Sequence, residues 1–165
     1  MPEILIIGYG NRLCGDDGIG VQAAHELERH FAGDPGVRVV TSQQLTPEMA
    51  DDMAACGLVL FLDASGAEEA GEIRSFRVEP CAHDGCFVHH LSPGALLASV
   101  AKLYEKAPQA MCITVSGCGF AVGDGLSPRV QLSLAEVVRE ARAIIAEWQR
   151  KNRSKASLPK SDTNA

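Results

Sequence analysis

No Cys-x-x-Cys pair occurs among the six cysteines Cys14, Cys56, Cys81, Cys86, Cys112 and Cys118, and at 165 residues the chain is too long for a small disulfide-stapled scaffold. No stretch approaches the roughly 18–20 apolar residues of a membrane span. The apolar run Ile4–Ile7 has only four residues, too few for the core of a secretory signal. A basic excess is also missing: 15 Lys+Arg stand against 21 Asp+Glu, a net charge of −6, which excludes a general nucleic-acid binder with its basic face. The familiar protease motifs are absent too, with no Ser-His-Asp signature, no His-Glu-x-x-His helix and no Asp-Thr-Gly pair. These absences lead to the expectation of a cytoplasmic protein with reduced thiols that binds neither nucleic acid nor a membrane.

Apolar residues make up 46% of the chain, enough for a sizeable core, and disorder of the whole chain is excluded. The charge is uneven. After Trp148 there are five Lys/Arg and one Asp, so residues 1–148 hold ten Lys/Arg against twenty Asp/Glu. Residues 1–149 are expected to form one domain, and residues 150–165 a basic, disordered tail.

Within the domain, apolar runs alternate with helical patterns. Glu3–Ile7, Val37–Thr41, Leu58–Leu62 and Met111–Val115 read as strands, most of them apolar on both faces. Ile73–Val78, with Arg74 and Arg77, reads as an edge or outer strand. Helices are expected from about Ile19, from Thr46-Pro47 with Thr46 as N-cap, from Ser92-Pro93 and from Ser127-Pro128. The pattern predicts an α/β three-layer sandwich: a twisted, mostly parallel sheet of about five strands with helices on both faces.

Open sheets of this kind bind ligands beyond the carboxyl ends of their strands. That rule selects Asn11, Asp16 and Asp17 after the first strand, Asp63 at the end of the third, and His89 and His90 before the Pro93 helix. Two carboxylates and an imidazole there would make a metal site of mixed O and N ligands. Each residue also has a plainer reading. Asp17 can cap the following helix, Asp63 can bond a loop, and adjacent histidines seldom both enter one site. Cys81, His83 and Cys86 lack the spacing of a structural zinc knuckle. Cys14 and Cys118 lie in strand-end loops without an evident base. Gly8-x-Gly10 starts like a dinucleotide fingerprint, but Leu13 stands where its third glycine belongs, and Val39–Ser42 offers no acid for a ribose.

The segment Ile4–Val21 (ILIIGYGNRLCGDDGIGV) closely resembles the opening of the hydrogenase maturation proteases, a strand followed by GxGN and then D-[DE]-G-x-G. The resemblance continues through Leu62-Asp63-Ala64 and His90-Leu91-Ser92-Pro93 and spans about residues 3–148. It implies a twisted sheet between helices. It also implies an endopeptidase that removes a short C-terminal extension from the large-subunit precursor of a nickel–iron hydrogenase once nickel has been inserted. The family's metal-contacting residues, two acids and a histidine, fall on Asp17, Asp63 and His90, with His89 as the alternative histidine. Nickel is then expected to arrive with the precursor, and the chain to act as a monomer. Many members carry Asp-Gly-Gly after the second strand, where this chain has Thr41–Glu48 without an acid before Glu48, so no role transfers there. Some members place the histidine directly after Ser-Pro, where this chain has Gly94. The competing expectation is a nickel-sensing chaperone that binds the loaded precursor and cuts nothing, which would explain the missing catalytic signature equally well.

Overall fold

The first apolar run is buried on both faces because it lies inside a sheet. The computed structural model describes residues 3–66, 69–81 and 91–156. Its strands are β1 (Ile4–Tyr9), β2 (Val37–Ser42), β3 (Leu58–Ser65), β4 (Ile73–Arg77) and β5 (Gln109–Ser116). They form one sheet in the order β2-β1-β3-β5-β4. β1 pairs in parallel with β2 and β3, β3 pairs in parallel with β5, and β4 lies antiparallel on β5. The polar strand expected at an edge is at the edge, with Arg74, Ser75, Phe76 and Arg77 exposed.

Helices α1 (Ile19–His30), α2 (Met49–Ala54), α3 (Pro93–Tyr104) and α4 (Pro128–Ala156) complete three layers. Side chains alternate across each strand, so β1 and β3 serve two cores. Ile4, Ile6, Leu58, Leu60 and Leu62 pack with Ala23, Ala24 and Leu27 of α1 and Val137, Ala141 and Ile145 of α4. Leu5, Ile7, Val59 and Phe61 pack on the other side with Met53 of α2 and Leu96, Leu97 and Val100 of α3. Burying each large aliphatic side chain contributes about 1.5–3 kcal/mol, which makes these alternating strands the main source of stability. α1 lies so close to the sheet that a Cβ on Gly20 would come within 2.3 Å of the Leu62 carbonyl oxygen and 2.7 Å of the Tyr9 carbonyl oxygen.

Two local expectations need correction. Thr46 does not cap α2, which begins at Met49. The Thr46 hydroxyl bonds the Glu48 carboxylate instead, and only the Thr46 backbone carbonyl receives the Met49 N–H. The tail expected from residue 150 starts as helix, since α4 continues to Ala156. Contacts one turn apart carry it onward: Lys151 pairs with Glu147, and the Asn152 side chain donates to the Trp148 carbonyl. Residues 157–165 lie outside the described residues. By contrast, Ser92 caps α3 as expected, its Oγ accepting the Ala95 N–H at 3.1 Å.

Candidate active site

The parallel arrangement brings the carboxyl ends of β1, β2 and β3 to one edge of the sheet. Gly8 and Leu62 are neighbours in the β1–β3 register, so the next residues along, Tyr9 and Asp63, sit side by side. By strand alternation both point to the face that holds α2 and α3. The Tyr9 hydroxyl donates to Asp63 Oδ2 at 2.7 Å, and the Ala64 N–H donates to Oδ1 at 2.8 Å.

After β1 the chain turns through Gly10–Cys14 into a 3-10 turn, Gly15–Gly18, that leads into α1. Asp17 sits in this turn and does not cap α1. Its Oδ2 reaches back to accept the Asn11 N–H at 2.6 Å. Gly10 makes this closure possible. Its φ is +132°, and a Cβ there would stand 2.0 Å from the Asp17 carbonyl oxygen.

Asp17 and Asp63 thereby line one cleft of about 490 Å³, together with Tyr9, Asn11, Cys14, Gln44 and Leu91. The proximity is felt in their chemistry. Burial pushes the Asp63 carboxyl up to about 6, and the negative charge of Asp17 adds to the rise, while the Tyr9 and Ala64 bonds hold it back. Burial and the neighbouring Asp63 charge also push the Tyr9 phenol far above its ordinary value, so Tyr9 stays a donor. Burial, with Asp63 contributing, drives the Cys112 thiol up to about 12, which removes it as a nucleophile.

Asp16 has a different task from its neighbour. It is fully buried, at 0% exposure. Its carboxylate accepts the N–H groups of Cys118, Gly119 and Ser127 and the Ser127 hydroxyl, at 2.6–3.0 Å. Burial alone would raise its pKa, but these four donors hold it below the ordinary range. Asp16 thus ties the Gly15–Gly18 turn to the loop after β5 and to the start of α4. Adjacent aspartates alike in sequence divide into a structural clamp and a cleft residue.

Of the residues selected from the sequence, the fold brings Asp17, Asp63 and Asn11 to the cleft and turns Asp16 away. His89, His90, His83 and Cys86 lie outside the described residues, although Leu91, the residue next after His90, lines the cleft. Cys81 is exposed. Among the described residues no group of three His, Cys, Asp or Glu side chains is placed to hold a metal ion. Tyr9 and the Gln43–Leu45 stretch were not selected in advance. The signal for Tyr9 was a single phenol ending an otherwise aliphatic strand. Gln43–Leu45 carried no such signal.

No family model matches the chain. Over 63 residues, 38% of this chain, it is 32% identical to the hydrogenase expression/formation protein HupD of Thiocapsa roseopersicina, and the matched stretch covers 28% of that protein's length. In structure it is similar to the hydrogenase maturating endopeptidase HybD from E. coli, with TM-score 0.73, 22% identity, and coverage of 89% of this chain and 93% of that one. It is also similar to the [NiFe] hydrogenase maturation protease HycI from Thermococcus kodakarensis, with TM-score 0.67, 23% identity, and coverage of 86% and 89%. The chain shares the fold of the hydrogenase maturation endopeptidases, and part of its sequence is similar to a hydrogenase expression/formation protein.

Proposed function

We propose that the chain is an endopeptidase that removes the C-terminal extension of a [NiFe]-hydrogenase large-subunit precursor after nickel insertion, acting in the cytoplasm as a monomer. The observation that carries this reading is the convergence of Asp17 and Asp63 in one cleft at the carboxyl edge of a sheet with the maturation-endopeptidase fold.

Nickel belongs to the substrate in this reading. The hard carboxylate donors Asp17 and Asp63 suit a metal shared with a soft, thiolate-rich partner better than one held tightly by this chain alone. Asp17, Asp63 and His90 are assigned as the ligands the protease offers. The sequence continues from His90 into Leu91 at the cleft wall, which supports His90 over a more distant histidine. Bound nickel would supply recognition of the loaded precursor and Lewis acidity near the scissile bond. Asn11 holds Asp17, and Tyr9 and Ala64 hold Asp63, so both carboxylates are oriented before the precursor arrives.

The test mixes the purified protein with nickel-loaded and nickel-free precursor and weighs the large subunit by mass spectrometry. Loss of the C-terminal peptide from the loaded form alone supports the reading. Equal cutting of both forms removes the role of nickel. Binding of the loaded precursor without any loss of mass points instead to the nickel-sensing chaperone.

A further inference from the structure

We propose that the open edge of β2 is the docking strand for the substrate: an extended segment of the precursor adds to the sheet beside β2 and passes from there into the Asp17–Asp63 cleft. The inference rests on the endopeptidase reading and names how the same site takes its peptide.

β2 ends the sheet order, so among the described residues no strand lies beyond it. Its hydrogen-bonding parity is fixed at both ends. The Ile4 N–H donates to the Gly36 carbonyl at 3.0 Å, and the Gly10 N–H donates to the Ser42 carbonyl at 3.1 Å. Backbone groups alternate sides along a strand, so Arg38, Val40 and Ser42 bond β1. Val39 and Thr41 therefore turn their N–H and C=O groups outward, which is the template that strand addition uses.

The edge also leads somewhere. At its carboxyl end lies a second cavity of about 370 Å³, lined by Arg12, Leu13, Val21, His25 and Thr41. This cavity shares Gly10, Asn11 and Gln43 with the acidic cleft, so the two lie next to each other at the carboxyl edge of the sheet. The two compartments differ in charge. Arg12 and His25 are the ionisable residues of the second cavity, whereas the cleft presents Asp17 and Asp63. On a body holding twenty Asp/Glu against ten Lys/Arg, such a cationic pocket suits a segment that carries a carboxylate. A peptide is thus favoured over a second copy of the chain, because the β2 edge ends at a cationic cavity that adjoins the cleft where a scissile bond would lie.

Proline at position 41 probes the edge selectively. Thr41 donates outward, so Thr41→Pro removes a docking donor without removing a bond to β1. Losing one such bond should raise KM by up to about tenfold, equivalent to about 1.4 kcal/mol. Steady-state cleavage of nickel-loaded precursor by Thr41→Pro should show that rise, with the smaller change in kcat. Hydrogen exchange on the full wild-type chain should show slower exchange in residues 37–43 when the same precursor is added. A wild-type KM in the folded variant, or exchange in 37–43 that the precursor leaves unchanged, overturns the proposal. Slowing of the same amides by protein concentration alone assigns the edge to a second copy and overturns it as well. If the wild-type chain releases no peptide from the precursor, the endopeptidase reading fails, and the exchange measurement decides the docking strand by itself.

Discussion

The Tyr9 hydroxyl donates to Asp63 Oδ2 at 2.7 Å, joining the ends of two adjacent parallel strands at the floor of the cleft. This bond favours the charged carboxylate against burial, which pushes Asp63 up to about 6. Tyr9→Phe removes the donor and keeps the ring. The Asp63 titration midpoint should then rise above that of the wild type in a carboxyl NMR titration, and stability at neutral pH should fall by about 1 kcal/mol. An unmoved midpoint would show that Tyr9 does not act on Asp63.

Asp63 makes the unliganded protein pH-sensitive in a definite direction. Its folded pKa of about 6 lies above its ordinary 3.8. A raised carboxyl stabilises the fold most below pH 4, and this contribution is lost as pH rises through about 6. The full effect is on the order of 3 kcal/mol. Urea unfolding of Asp63→Asn should therefore gain on the wild type as pH rises from 4 to 8, with processing abolished. Asp17→Asn and His90→Gln should also abolish processing while remaining folded, each by more than the 10- to 100-fold typical of outer-shell partners. Wild-type processing by the His90 variant would move the assignment to His89.

Asp16 should behave in the opposite sense to Asp63. Its folded pKa is depressed below 3.8, so its stabilisation is present at neutral pH and is lost as pH falls through that depressed value. Asp16→Ala leaves the Cys118, Gly119 and Ser127 groups without their acceptor. Each buried donor left unsatisfied costs about 1–3 kcal/mol, so chemical denaturation at pH 7 should show a loss of more than about 3 kcal/mol, with the gap from wild type narrowing in acid. A cost below about 1 kcal/mol would contradict the clamp.

Gly10→Ala tests whether the first loop is built around Asp17. The φ of +132° disfavours any side chain, and the Asp17 carbonyl oxygen occupies the space a Cβ would need. Backbone strain of about 1–3 kcal/mol is expected. Processing should fall further than this stability loss explains, because the Asn11–Asp17 bond closes the same loop. Comparing the thermal midpoint with the cleavage rate separates the two effects.

The layers and the strands themselves were largely legible in advance, because burial on both faces leaves a continuous apolar run. Ile4–Ile7 and Leu58–Leu62 carry that signature, and Arg74 with Arg77 marks an edge. Helix starts were less legible. Ser92 and Thr46 both precede proline-led turns, yet only Ser92 caps its helix, because a glutamate two residues on claims the Thr46 hydroxyl. The end of α4 was hidden because polar residues at helical spacing look the same in a solvated helix and a tail.

By itself, the sequence determined the alternation of buried strands and amphipathic helices, and with it the sheet edge at which open sheets of this kind take ligands. It also placed acids after β1 and another near the carboxyl end of β3. Only the tertiary structure decided which acid does what. Asp16 and Asp17 are neighbours with the same chemistry, and no local pattern distinguishes them. Asp16 meets four donors from a loop and helix start more than a hundred residues away in the chain, whereas Asp17 turns to the Asn11 amide and shares a cleft with Asp63. The hydrogen-bond partners of Asp16, so distant in sequence, exist only once the chain has closed on itself, and they make it a clamp.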